Sequence, residues 1–406
     1  MGHAEAPAVM DPLIAAGLLV AVFVGFNIGG SSTGVAFGPA VGSNTVSKVG
    51  AAVLMTIFAL AGGWVFGREV VQTLGGDLVP EGSFDPTVTV AVLLFIGLAL
   101  FLSNVVGVPA STSMTAVGAI AGLGLARGNL AIGTMSEIVV WWIVSPIAAF
   151  WVSAVVGRYF YPRLVAWFAV TQTEGKLLVL DRSGGLPRPT LGPNTTPREL
   201  VGTSLVVAIA CYMAFSAGAS NVANAVGPLV GNGTLNVEEG VLLGAGAIGL
   251  GAFTIARRTL DTVGNDLTEM PLMAALVVAT VSSTLVTFLS AIGIPASFVI
   301  IATMSIVGLG WGRATRTVTL SDSVQGESPR VSVGALAAES ADAPTVGGDG
   351  GTPTEQPKPI GEESDDDIPA ASDLFEPGTT ARVIVLQNMV PAVATVVAYA
   401  VFEFVL

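Results

Sequence analysis

Four short stretches of small polar residues interrupt an otherwise apolar chain, and they fall into two pairs. Ser216–Gly231 reads SAGASNVANAVGPLVG, and Asn27–Gly42 reads NIGGSSTGVAFGPAVG. The second pair is VGVPASTS, from Val106, and IGIPAS, from Ile292. In Pro109-Ala110-Ser111-Thr112-Ser113 a proline suited to a first helical turn precedes three hydroxyls. A helix start carries unpaired N–H donors and partial positive charge, so hydroxyls placed there belong to an anion site. Pro295-Ala296-Ser297 repeats the entry, but Phe298 and Val299 replace the later hydroxyls. Helix packing alone calls for small residues; it does not call for Asn221, Asn224, Ser111, Thr112 and Ser113.

The elements that must position these groups follow from composition. Of 406 residues, 52% are hydrophobic and only 11% charged. That charge density is less than half the roughly 25% of a soluble domain, too little to cover a water-facing surface. Several nearly uncharged runs approach the about 20 residues needed to cross a bilayer. They do not alternate as the strands of an outer-membrane barrel would. The chain is therefore expected to be an all-α polytopic membrane protein with about 10–12 membrane segments. The first apolar run follows no basic segment and is expected as a retained helix.

One cysteine, Cys211, and one histidine, His3, leave no His/Cys metal cluster and no disulfide framework. No nucleophile–base pair stands out, so no enzymatic activity, cofactor or resident metal is expected, and no nucleic-acid partner. Cys211 reads as apolar packing. The net charge of −13 belongs mostly to one segment: residues 316–381 hold thirteen acids against three basic residues.

The chain is a tandem duplication. At a constant offset of 189 residues, Gly29-Gly30-Ser31-Ser32 falls on Gly218-Ala219-Ser220-Asn221, and Gly38–Gly42 falls on Gly227–Gly231. Arg68, Thr73, Gly75 and Asp77 fall on Arg257, Thr262, Gly264 and Asp266; VGVPAS and IGIPAS then match at 186. Paired Gly/Pro-interrupted apolar segments in two halves point to a transporter with a midplane binding site. Two inverted-topology repeats with broken or re-entrant helices are expected, at 11–156 and 200–313. A basic cytoplasmic connector at 157–199 joins them. A disordered acidic loop at 314–381 and a last membrane helix at 382–406 complete the chain.

Among ionisable residues near apolar runs, Glu137, Asp77, Asp261, Asp266 and Glu269 are costly there and so are functional candidates. Glu137 is the first choice for coupling to a cation or proton. Arg68 and Arg257-Arg258 read as helix-end anchors at the cytoplasmic face.

GASNVANAVGPLVG resembles the GANDVANA-type signature of the inorganic phosphate transporter (PiT) family. VPASTS and IPAS resemble that family's paired Pro-Val-Ser-Thr-Thr-His segments. The resemblance covers both repeats and omits the acidic segment. It implies a secondary transporter of the cell membrane that moves phosphate with sodium or protons by alternating access. The anion would lie near Ser31, Ser32, Thr33, Ser111, Thr112, Ser113, Ser220, Asn221, Asn224 and Ser297. Asn27, Asn221, Asn224 and Glu137 would serve the coupling cation.

Three departures separate this chain from that pattern. Asn221 and Ser32 stand where the family carries Asp, Ser31 and Val35 where it carries Asn, and Met114 where it carries His. A site without carboxylates suits a fully deprotonated oxyanion, since protonated phosphate wants an acceptor. Phosphate is the first expectation; a sulfate permease, or an uncoupled anion channel, is the alternative. A homodimer is left open.

Overall fold

A computed structural model describes residues 11–42, 45–80, 82–106, 111–168, 178–181, 188–191, 197–254, 272–317 and 377–406. Among the described residues the first half contributes α1 (Pro12–Gly42), α2 (Lys48–Asp77), α3 (Pro86–Val106) and α4 (Thr112–Ala126). Its last helix, α5, starts at Ile132 and runs through a π turn at Val156–Phe160 to Phe168. The second half contributes α6 (Pro197–Gly231), α7 (Val237–Thr254), α8 (Leu272–Ala291), α9 (Phe298–Thr317) and α10 (Pro377–Phe404). Between the halves, β1 (Leu178–Asp181) and β2 (Arg188–Leu191) form an antiparallel hairpin.

Local chemistry sets these boundaries. Proline opens α1, α3, α6 and α10, where its missing N–H costs nothing. Asp85 Oδ1 accepts from Val88 N at the start of α3. Asn236 and Glu239 cap α7 reciprocally, each side chain accepting from the other's backbone N–H at 2.8 and 3.0 Å. Gly293, at φ 75°, ends α8 in the left-handed region that glycine alone adopts freely.

Among the described residues six helices are long and apolar enough to cross a membrane, α1, α2, α5, α6, α7 and α8, with four shorter apolar ones beside them. Large apolar side chains such as Leu19, Ile57, Val140, Ile143 and Trp151 point outward, as a lipid-facing surface requires.

The halves grip each other through exchanged partners. α1 packs on α7 while α6 packs on α2; α4 packs on α10 while α9 packs on α5. Glycines fix the first exchange. A Cβ on Gly29 would fall on the carbonyl oxygen of Ile248, and one on Gly218 on that of Ala59. A Cβ on Gly251 would meet Phe26 O, and one on Gly62 would meet Phe215 O. Every residue in one contact lies 189 positions from its counterpart in the other. Such backbone contact is how membrane helices associate where burial from water cannot drive them.

Two expectations need adjusting. The Gly/Ser/Asn stretches are not interrupted helices: both lie inside continuous α1 and α6. The helix ends fall elsewhere: α3 ends at Val106 and α4 begins at Thr112, with Pro109 and Ala110 outside the described residues, and α8 ends at Ala291 and α9 begins at Phe298. Arg68 is no helix-end anchor, because α2 continues past it to Asp77; it pairs with Glu238 at 3.3 Å and lies over Trp64. The helices also reach a few residues into both segments expected as connector and loop, α5 to Phe168, α9 to Thr317 and α10 from Pro377. Asp261, Asp266, Glu269, Arg257, Arg258 and residues 318–376 lie outside the described residues.

Replacing Gly218 or Gly29 by Val drives a branched side chain into a neighbouring backbone, at a cost of about 1–3 kcal/mol. Gly246→Ala, with nothing within 4 Å of the added carbon, is the matched control. Thermal unfolding of the purified variants should show a clear loss for the first two and none for the third. A Gly218→Val protein as stable as wild type contradicts the packing described.

Candidate functional site

One face of α1 carries Asn27, Ser31 and Val35 at four-residue spacing, and one face of α6 carries Met213, Ala217 and Asn221. That period stacks side chains along a helix. Both faces border a pocket that also takes Ser32, Ala36 and Leu100, Ser111 and Thr112, and Ser297, Phe298 and Val299. The pocket encloses ≈ 760 Å³ of empty space, its open mouth included, room for a tetrahedral oxyanion and part of its water. Ser111 and Ser297, the residues that precede α4 and α9, both lie here. Ser111 caps α4, accepting from Met114 N, and Ser297 caps α9, accepting from Ile300 N. The positive ends of two helix dipoles, one from each repeat, thus meet at one cavity.

Behind the pocket wall a neutral network ties α4 to α6. Thr112 Oγ1 donates to Asn221 Oδ1 at 2.6 Å, and Asn224 Nδ2 donates to the same oxygen at 3.1 Å. Asn224 Nδ2 also reaches Ser113 Oγ at 3.2 Å and Thr112 Oγ1 at 3.3 Å. Ser113 and Ser220 share a hydrogen bond at 3.2 Å, and Ser220 donates to Ala296 O. Asn221 Oδ1 is therefore already accepting twice. Asn224 Oδ1 is buried and accepts from nothing.

The tip between α8 and α9 is held through its carbonyls. Thr73 Oγ1 donates to Gly293 O, Trp142 Nε1 to Pro295 O at 2.7 Å and Ser220 to Ala296 O. Buried carbonyls at such a break are costly unless paired, and helices from both repeats pair them.

Of the residues expected at the anion site, Ser31, Ser32, Ser111, Thr112, Asn221 and Ser297 line the pocket, together with Asn27. Ser113, Ser220 and Asn224 stand one layer behind, in the network. Thr33 is fully buried, bonded to Gly29 O, and is not among the lining residues. Glu137 sits exposed near the start of α5, apart from the pocket lining. Asp77 is exposed at the end of α2. Cys211 is buried in the apolar core.

Sequence reasoning missed Leu100, Met213 and Ala217, since nothing distinguishes an apolar wall residue from packing. The four-residue spacing of Met213 and Ala217 before Asn221 was the available signal. No ionisable side chain lines the pocket, and no group of three or more His, Cys, Asp or Glu suited to a metal occurs among the described residues. What the site offers is a set of neutral donors, helix starts and few open acceptors, an arrangement suited to a multiply charged anion.

The chain is similar to known proteins. The model of the phosphate transporter family matches residues 28–332. The sulfate permease CysP of Bacillus subtilis is 31% identical over 299 residues, 73% of this chain and 77% of its own. A relative from Thermococcus kodakarensis with phosphate permease in its name is 25% identical, over 77% of this chain and 91% of its own. A solved structure titled "The sodium-dependent phosphate transporter" superposes with a TM-score of 0.64 at 18% identity, covering 98% of this chain and 100% of that one. That likeness bears on the fold alone. With its membrane helices, duplicated halves and shared pocket, the chain is a multi-pass anion transporter of the cell membrane and belongs to the phosphate transporter family.

Proposed function

We propose that the chain carries a tetrahedral inorganic oxyanion by alternating access of its two repeats, and that sulfate fits the pocket best. The observation behind this reading is the neutral lining: hydroxyls and amides from both repeats, two helix starts, and, among the described residues, no carboxylate. Inorganic phosphate keeps at least one proton near neutral pH and wants an acceptor for it. Sulfate keeps none and needs donors only. Asn221 Oδ1, the natural acceptor at the wall, is committed to Thr112 and Asn224. The sulfate permease relative supports the same choice. Phosphate is the second reading, favoured by the family match and by relatives with phosphate permease in their names.

A coupling proton has no titratable side chain to ride on among the pocket residues. A coupling cation such as sodium would instead use neutral oxygens. Asn224 Oδ1, buried without a donor, and Asn27 beside the pocket are the groups that fit. Glu137 would act only from outside the pocket.

Purified protein in liposomes should take up labelled sulfate saturably, and sulfate on the far side should accelerate the exchange. Only a carrier shows that counterflow; its absence alongside rapid flux identifies a channel. Phosphate uptake that excess sulfate leaves unchanged contradicts the sulfate reading. Asn221→Asp keeps the two accepted hydrogen bonds but adds a charge. A unit charge about 4 Å away costs about 4 kcal/mol even at an effective dielectric constant of about 20. Sulfate uptake should fall at least about tenfold, and phosphate uptake should fall less; equal losses for both contradict the acceptor argument. Thr112→Val removes one donor to Asn221 and should destabilise the fold by about 1–3 kcal/mol. Combined with Asn224→Leu the loss should be smaller than the sum of the singles, measured by unfolding, because both partners serve one oxygen.

A further inference from the structure

The two halves are related by fixed offsets, so the residues of the polar network between α4 and α6 have counterparts on α9 and α1. In the network, Asn221 and Asn224 of α6 meet Thr112 and Ser113 of α4. Offsets of 189 and 186 place their counterparts at Ser32, Val35, Phe298 and Val299. All four counterparts line the same pocket. One wall of the pocket is therefore a hydrogen-bonding cluster, and the wall related to it by the internal two-fold is mostly apolar. Val35 stands where an amide would be, and Phe298 and Val299 stand where two hydroxyls would be.

We infer that Val35, Phe298 and Val299 set the anion specificity of this carrier by closing the second, symmetry-related polar subsite to acid protons. The inference rests on the oxyanion reading above. An amide oxygen or a hydroxyl accepts a hydrogen bond, and a valine or phenylalanine does not. The polar wall compensates only through hydroxyl oxygens, because Asn221 Oδ1 is saturated and Asn224 Oδ1 is buried behind it. A protonated oxyanion bound here keeps its acidic hydrogen against an apolar surface, having lost the water that accepted it. A fully deprotonated oxyanion loses nothing on that side and keeps the donors opposite. Discrimination by an unmet hydrogen bond is stronger than discrimination by size, and phosphate and sulfate are nearly equal in size.

The triple replacement Val35→Asn, Phe298→Thr and Val299→Ser rebuilds the missing wall on the pattern of the existing one. Equilibrium binding of labelled sulfate and labelled phosphate would be measured on full-length wild-type and variant protein in lipid nanodiscs. The ratio of phosphate to sulfate affinity should rise by about tenfold or more in the variant. If the triple variant does not fold, Val35→Asn and Phe298→Thr are tested singly, and each should move the ratio the same way by about threefold. A ratio that stays at the wild-type value, in a variant that still binds sulfate, overturns the inference and leaves the oxyanion reading standing. Wild-type protein that binds neither anion overturns both.

Discussion

Gly29 of α1 lies against the carbonyl of Ile248 in α7, and Gly218 of α6 lies against the carbonyl of Ala59 in α2. These two backbone contacts, each the image of the other, set how far apart α1 and α6 stand. Their glycines face the neighbouring helix, while Asn27 and Ser31 on α1 and Asn221 on α6 face the pocket. In lipid no gain from burying apolar surface holds helices together, so close approach has to supply the attraction. The small residues that the sequence places beside its polar ones thus do a separate job on a different face. The glycines assemble the repeats; the hydroxyls and amides meet the anion.

The same medium explains why the chain breaks where it does. A helix interior keeps its own hydrogen bonds and tolerates Gly, Ser and Asn even at mid-depth, and that is the state of α1 and α6. A break exposes backbone groups and survives only if they are paired or face a wet cavity. At the pocket Ser111 and Ser297 cap the helix starts that follow the two breaks. For the second break Thr73, Trp142 and Ser220 also take up the carbonyls. Among the described residues no basic side chain lines the pocket, and the helix starts are the source of positive potential there.

Much of this was legible in the sequence. The 189-residue offset announced the duplication, and the helix limits follow it: Gly42 and Gly231 both end helices, and Lys48 and Val237 both begin them. Seven of the expected site residues line one cavity because their polarity had no other use in an apolar segment. What could not be read was direction. Thr33 resembles Ser31 and Ser32 in type, yet the helical turn aims it at the backbone of Gly29. Glu137 looked costly in an apolar run, but six residues into α5 it is exposed. Nor does a linear sequence reveal that partners are exchanged between halves, so that Asn224 meets hydroxyls of the other repeat.

The described lining of the pocket offers hydroxyls and amides but no carboxylate to take an acidic proton, and competition among tetrahedral anions tests that reading most directly. Selenate and molybdate resemble sulfate in carrying no proton near neutral pH, whereas arsenate resembles phosphate in carrying at least one. With labelled sulfate bound to the wild-type protein, selenate and molybdate should displace it readily, and arsenate and phosphate only at much higher concentration. Displacement by arsenate and phosphate as effective as that by selenate would contradict the account.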